Sequence, residues 1–250
     1  MADERLIKSN DRVKDIGEVF TPQRIVDFML NQPEISAKVN DLRATFLEPS
    51  AGEGVFLVEI LKRKMKVAFE ESKNIAEFED NSLLALTSLY GIELMEDNVE
   101  MLVMNMFQEF VTDYLSRIQT LSSDAKQNER VIKSAKVIIR ANMAQGNALT
   151  YKTSTDDPII FSEWDTFSKN GRLYVQRKEQ TFESIVAPQQ EEMDLFSSYD
   201  TDEDGDIEVK PVETIYHQYE PVRMTDIYKQ LVHTFGKSDL AYFKQKYGKK

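Results

Sequence analysis

Cysteine is absent from the 250 residues, so there is no disulfide framework and no thiolate metal site. Only two histidines occur, His217 and His233, which argues against a histidine metal centre. No apolar run approaches the roughly 18 residues of a membrane span. The opening MADERLIKSNDRVKD lacks the apolar core of a signal peptide. A soluble, cytoplasmic protein is therefore expected. Positive charge is scarce too: 31 Lys and Arg stand against 43 Asp and Glu, for a net charge of −12. A chain that binds DNA unaided usually shows a basic surplus. If nucleic acid is the target, a partner subunit is expected to supply part of that surface. The seven prolines include no adjacent pair, an absence that matters below.

What is present is enough apolar material for a sizeable core, at 41% of residues. Residues 1–16 read as a polar N-terminal arm. In TPQRIVDFMLNQ, Thr21 is placed to cap a helix with Pro22 at its first position. The pattern then predicts a strand at Ala44–Leu47 and a helix at Val55–Phe69. A second strand within SLLALTSLYGIEL should end near Glu93, followed by a long amphipathic helix from Glu96. SSDAKQNERVIKSAK is polar and includes a loop, and VIIRANMAQGNAL leads through a short strand into a turn. PIIFSEW and GRLYVQRKEQTF predict two strands joined around SKNG. From Glu179 to Val209 there is no Lys or Arg but many acids. The expected organisation is an arm (1–16), an α/β domain (17–178), an acidic loop or insert (179–210) and a helical C-terminal segment (211–250).

The most informative stretch is TFLEPSAGEGVFLVEILKRK, Thr45 to Lys64: strand, glycine turn, helix. Such a turn brings backbone close to a nucleotide cofactor, and an acid at the next strand end can hold ribose hydroxyls. Nicotinamide and flavin sites favour G-x-G-x-x-G, but Leu57 stands where the third glycine would fall. No phosphate-binding G-x-x-x-x-G-K-S/T occurs. A tight turn with no ligand is the other reading of this segment.

EPSAGEGVFL resembles the S-adenosylmethionine motif of amino-methylating DNA methyltransferases, D/E-P-x-x-G-x-G-x-F. GEVFTP (Gly17–Pro22), YGIELMEDNV (Tyr90–Val99) and QGNAL (Gln145–Leu149) resemble further segments of that family, in the order of its gamma type. The resemblance covers Gly17–Leu149. It implies a Rossmann-like class I α/β fold, incomplete in its second half, and an adenine-N6 DNA methyltransferase of the restriction–modification type. The resemblance also implies the roles. Thr21 would bind the methionine carboxylate and Glu48 would sit near the methionine ammonium. Ser50, Ala51, Gly52 and Gly54 would form the turn against the cofactor. Glu93 would take both ribose hydroxyls, Leu94 would pack on adenine and Asn147 would bond its edge. Phe20, Pro22, Pro49, Phe56 and Ala148 are cofactor-binding positions on the same motifs. No metal is implied. Structural readings stand beside these: Thr21 as an N-cap, Glu48-Pro49 as a strand end, Glu93 as a solvated acid, Asn147 as a turn residue.

The family's acceptor motif, D/N/S-P-P-Y/F/W, is missing, because no two prolines adjoin. Its chemistry needs an amide or carboxylate oxygen and a backbone carbonyl to accept from the amino group of a flipped base, and an aromatic ring to stack on it. The nearest candidate is Asp157-Pro158, followed by Ile159 and Ile160 instead of proline and an aromatic residue. Trp164 and Phe161 can stack a base or can simply pack. Asp200, Asp202, Asp204 and Gly205 mimic half a calcium loop, but Pro211 holds the position of its twelfth ligand, so calcium is not expected. The alternative to an active enzyme is a catalytically inactive cofactor-binding subunit of a DNA-modification or phage-defence assembly. A third reading, an acidic DNA mimic, leaves the four cofactor motifs unexplained.

Overall fold

The computed structural model describes residues 21–186 and 215–232. The arm, Gly17–Phe20, the calcium-like stretch and residues 233–250 lie outside them.

The first elements are helices α1 (Gln23–Leu30) and α2 (Pro33–Val39), which lead to strand β1 (Phe46–Glu48). Helices α3 (Val55–Glu70) and α4 (Ile75–Thr87) connect β1 to β2 (Leu89–Glu93). Helices α5 (Glu96–Leu121) and α6 (Glu129–Asn142) connect β2 to β3 (Met143–Gln145). The three strands form a parallel sheet in the order β1-β2-β3. The register pairs Leu47 with Tyr90 and Glu93 with Gln145.

Helix α3 buries Leu57, Leu61 and Met65, spaced by four. Helix α5 buries Leu102, Met106, Phe110, Tyr114 and Ile118 at the same spacing. Both helices meet the sheet at Gly91, where an added Cβ would stand 2.9 Å from Leu57 Cδ1 and 3.0 Å from Met143 Sδ. Helix α4 departs from the expected pattern, since Ser82–Thr87 was placed in the same stretch as the second strand. Asn74 starts it by accepting from the Glu77 N–H at 3.0 Å, with Glu77 returning a bond to the Lys73 N–H at 2.9 Å. A run such as Leu83–Leu86 suits a buried helix as well as a buried strand, and this capping box settles the choice.

The other face of the sheet is covered by a hairpin. Strands β4 (Ile160–Lys169) and β5 (Arg172–Thr181) pair antiparallel over ten residues each. Their turn places Asn170 at φ 52° and Gly171 at φ 68°, the left-handed pair of a two-residue hairpin. Ile159, Phe161 and Phe182 pack against Ile92 and Tyr90 as a second core. Arg172 clamps the hairpin to α4, with Nε and a terminal nitrogen donating to Asp80 at 3.0 and 3.1 Å.

Strands β6 (Ile215–Gln218) and β7 (Val222–Arg223) extend the antiparallel sheet, and a 3-10 helix (Met224–Lys229) packs on α6. The described part of the 211–250 segment is thus mainly strand and 3-10 helix, not the expected α-helix. It takes up the edge that β5 leaves free. Likewise Glu179–Thr181 belong to β5 and not to the acidic insert. No helix among the described residues is long and apolar enough to cross a membrane.

Candidate functional site

At the C-terminal ends of β1 and β2 the chain makes two sharp departures, and the site lies between them. After Glu48 the backbone turns through Pro49–Glu53 and enters α3. The Ala51 N–H donates to the Ile92 carbonyl at 2.9 Å, which holds the turn against β2. Gly52 and Gly54 have φ values of +55° and +92°, a region that side-chain-bearing residues rarely adopt. Gly54 is needed twice over, because an added Cβ would lie 2.3 Å from Leu102 Cδ1. Around Gly52 no atom comes within 4 Å of such a Cβ, so that side of the turn is open. From α5, Asn105 Nδ2 donates to the Glu53 carbonyl at 2.9 Å and fixes the far end of the turn.

Glu93 ends β2 and is only 7% exposed. One carboxylate oxygen accepts from the Gly52 N–H at 2.8 Å, and the other from the Met95 N–H at 3.1 Å and from Asn98 Nδ2 at 3.4 Å. It is therefore not a solvated strand-end acid. It joins the glycine turn to the start of α5, with its oxygens at fixed positions between two clefts.

The first cleft, about 700 Å³, lies over the glycine turn and is lined by Thr21, Glu48, Ser50, Gly52, Phe56 and Asn105. Thr21 is not the cap of α1. Pro22 holds that position, with no side-chain cap bond, so the Thr21 hydroxyl is not used for capping. Burial raises the Glu48 carboxyl above its ordinary value, and the Ser50 N–H, at 3.4 Å, partly offsets the shift. Glu109, in the same cleft, is also raised by burial, against the pull of Lys62.

The second cleft, about 540 Å³, opens beside β3 and is lined by Leu94, Gln145, Asn147, Lys152, Ser154 and Asp156. Leu94 is 50% exposed, an apolar surface at the end of β2. The Asn147 oxygen accepts from the Leu149 N–H at 2.9 Å, so the turn role is real and leaves its amide nitrogen for other work. Gly146 has no room for a side chain, with the Lys152 carbonyl 2.8 Å from an added Cβ. Ala148 packs below, against the second core.

The positions carried by the motifs thus divide between two adjoining clefts, with Glu93 between them. Phe20 lies outside the described residues. Asp157 stands apart: it is exposed, accepts from the Thr155 hydroxyl at 2.7 Å and lines neither cleft. Trp164 is a packing anchor. Its Nε1 donates to Asn142 Oδ1 at 3.0 Å, and the Arg177 guanidinium lies over its ring. Phe161, 2% exposed, is core.

Sequence reasoning missed Asn98, Asn105 and Gln145. Gln145 donates to the Leu94 carbonyl at 2.8 Å and accepts from Ser154, building the floor of the second cleft. Asn98 and Asn105 lie two helical turns apart on one face of α5. Polar residues at that spacing, on a helix that follows the acid strand, were the available signal.

The arrangement suits an extended ligand with a polar charged end over the glycine turn, a diol at Glu93 and a flat apolar group against Leu94. A family model described as N-6 DNA methylase matches residues 3–175. Comparisons with curated proteins and with solved structures give no match.

Proposed function

The chain belongs to the N-6 DNA methylase family, and we propose that it binds S-adenosylmethionine across the two clefts as the cofactor half of a DNA adenine-N6 methyltransferase. The observation that carries this reading is the Glu93 carboxylate, buried at the strand end and bonded to the Gly52 N–H. A ribose placed there meets an acid that can accept from both hydroxyls. Thr21 and the first N–H groups of α3 suit a carboxylate, and Glu48 suits an ammonium. Leu94 and Asn147 suit an adenine ring and its edge. The open face of Gly52 gives the cofactor room to lie against the backbone. On this reading the parallel sheet is part of a Rossmann-like class I fold. The motif order is that of the gamma type, and the setting is a cytoplasmic restriction–modification system.

The cofactor supplies the methyl group. The chain's contribution is placement: it holds the donor in one orientation, with the turn, Glu93 and Leu94 shielding one side from water. The target amine needs acceptors from elsewhere, because the paired-proline motif is absent and Asp157 sits outside both clefts. That absence favours a second reading, in which the chain binds the cofactor without transferring the methyl.

Isothermal calorimetry with S-adenosylmethionine tests the shared premise. Saturable one-to-one binding is expected, with S-adenosylhomocysteine competing. No heat from a folded chain at millimolar cofactor would overturn the assignment.

A further inference from the structure

The parallel sheet ends on the strand that carries the cofactor turn. β1 pairs with β2 alone among the described residues. The Phe46 N–H donates to the Ser88 carbonyl at 2.9 Å, so in a parallel ladder the N–H and C=O of Leu47 point the other way, off the sheet. That edge is not guarded by charge: it reads Thr45, Phe46, Leu47, and Leu47 is 43% exposed.

Beside it runs a groove of about 320 Å³, walled by Leu47, Tyr90, Phe161, Phe182, Ile185 and Glu163. Its far wall is fixed, because the Tyr90 hydroxyl donates to the Ser162 carbonyl at 2.8 Å. Ile185 is 44% exposed, so the groove shows apolar surface on both sides.

Topology says what belongs there. In open parallel sheets, ligands bind where the strand order reverses, between two neighbouring strands whose connections leave in opposite directions. Here the order runs from β1 to β3 in one direction, and the cofactor turn lies at the C-terminal end of β1. The reversal needs a strand on the other side of β1. A parallel strand seated there would end beside Glu48 and Ser50, where the methyl acceptor must stand.

Charge says what kind of chain brings it. The first cleft is rimmed by Glu48, Glu53, Glu59 and Glu109 against Lys62, in a chain of net charge −12. Such a rim repels DNA and suits a cationic neighbour. We propose that a second, basic polypeptide docks on this edge, adding a strand parallel to β1 that leads directly into a D/N/S-P-P-Y/F/W acceptor motif. This inference rests on the methyltransferase reading. It adds where the missing half binds and which surface holds it, by strand addition with apolar side chains filling the groove.

The test places a photo-crosslinking residue, p-benzoylphenylalanine, at Leu47 of the full chain. The protein is produced in cells of the organism that encodes it, with Phe167 at the hairpin tip as control position. Illumination should give one adduct from position 47 and none from 167. The crosslinked peptide, sequenced by mass spectrometry, should lie within ten residues before a paired-proline aromatic motif. Leu47→Asp should reduce co-purification of that polypeptide at least tenfold and leave S-adenosylmethionine affinity within twofold. An adduct with a second copy of this chain, an adduct with a peptide lacking the motif, or no adduct overturns the inference. Calorimetry on the same protein separates the two failures. Cofactor binding without an adduct sinks only the docking proposal, whereas an adduct without cofactor binding sinks the methyltransferase reading beneath it.

Discussion

At the scale of single residues, the site depends on a few groups with two duties each. Glu93 would hold the ribose and also satisfies the Gly52 and Met95 N–H groups. Glu93→Ala should weaken S-adenosylmethionine binding at least about 30-fold, since hydrogen bonds to a charged acceptor contribute about 1.5–3 kcal/mol each. It should also lower stability by about 1–3 kcal/mol, because two N–H groups lose their acceptor. Glu93→Gln should recover most of the stability but not the affinity. Calorimetry and urea unfolding read the two effects separately. Glu48 gives a pH test. Burial raises its carboxyl above the ordinary value, so it protonates earlier on acidification than an exposed glutamate does. If its charge attracts the methionine ammonium, affinity should be full near pH 7. It should fall as the pH drops through that raised value, and the fall should begin above 4.5, the ordinary value. Glu48→Gln should bind more weakly at pH 7 and lose this part of the pH dependence. Residue roles were legible where two signals met, as at Glu93, which ends an apolar strand and follows a glycine turn in the sequence. Thr21 was less so. Its neighbour Pro22 takes the cap position, a shift of one residue that composition does not reveal.

At the scale of elements, two buried charges tie the pieces together. Asp80 is 5% exposed and accepts from the Arg172 guanidinium twice and from the Leu173 N–H at 3.1 Å. Asp80→Ala leaves that guanidinium without its partner. It should cost about 3 kcal/mol, since removing one partner of a buried pair is strongly destabilising. Exchange of the β4–β5 amides should rise while the glycine turn keeps its protection, which hydrogen exchange can separate. Lys64, fully buried on α3, donates to the Asp41 and Ala44 carbonyls at 2.6 and 2.8 Å and so fixes the approach to β1. Burial lowers its ammonium to about 8 from 10.5. Between those values the unfolded chain binds more protons than the folded one, so this group makes stability rise with pH through that window. In Lys64→Met the rise should disappear from urea midpoints measured from pH 7.5 to 10.5. Elements with a clear period, such as α3 and α5, and the Asn170-Gly171 hairpin were legible in the sequence. Helix α4 was not, because its apolar run has no distinguishing period. The strands after residue 211 were not either, because β6 and β7 are short and owe their place to the edge of β5.

At the scale of the whole molecule, the missing proline pair and the open edge of β1 are the same fact met twice. The sequence lacks an acceptor motif, and the sheet lacks the strand that would carry one to the cofactor. Neither the −12 charge nor the hairpin suggested by itself where the gap would lie. That became visible only once β1 proved to be the outer strand and not a central one. The consequence can be tested in a host without adenine methylation. If the chain holds only the donor half, its expression alone should leave the host genome unmodified, although the purified protein binds S-adenosylmethionine. Co-expression with the crosslinked polypeptide should produce N6-methyladenine in one sequence context, read by long-read sequencing, and Glu93→Ala should abolish it. Methylation by the chain alone would mean that acceptors for the target amine lie within these 250 residues. Asp157→Ala would then be the first variant to make. Its loss of activity would require the 153–157 turn to move, because in this structure the Asp157 carboxylate is held by Thr155 outside both clefts.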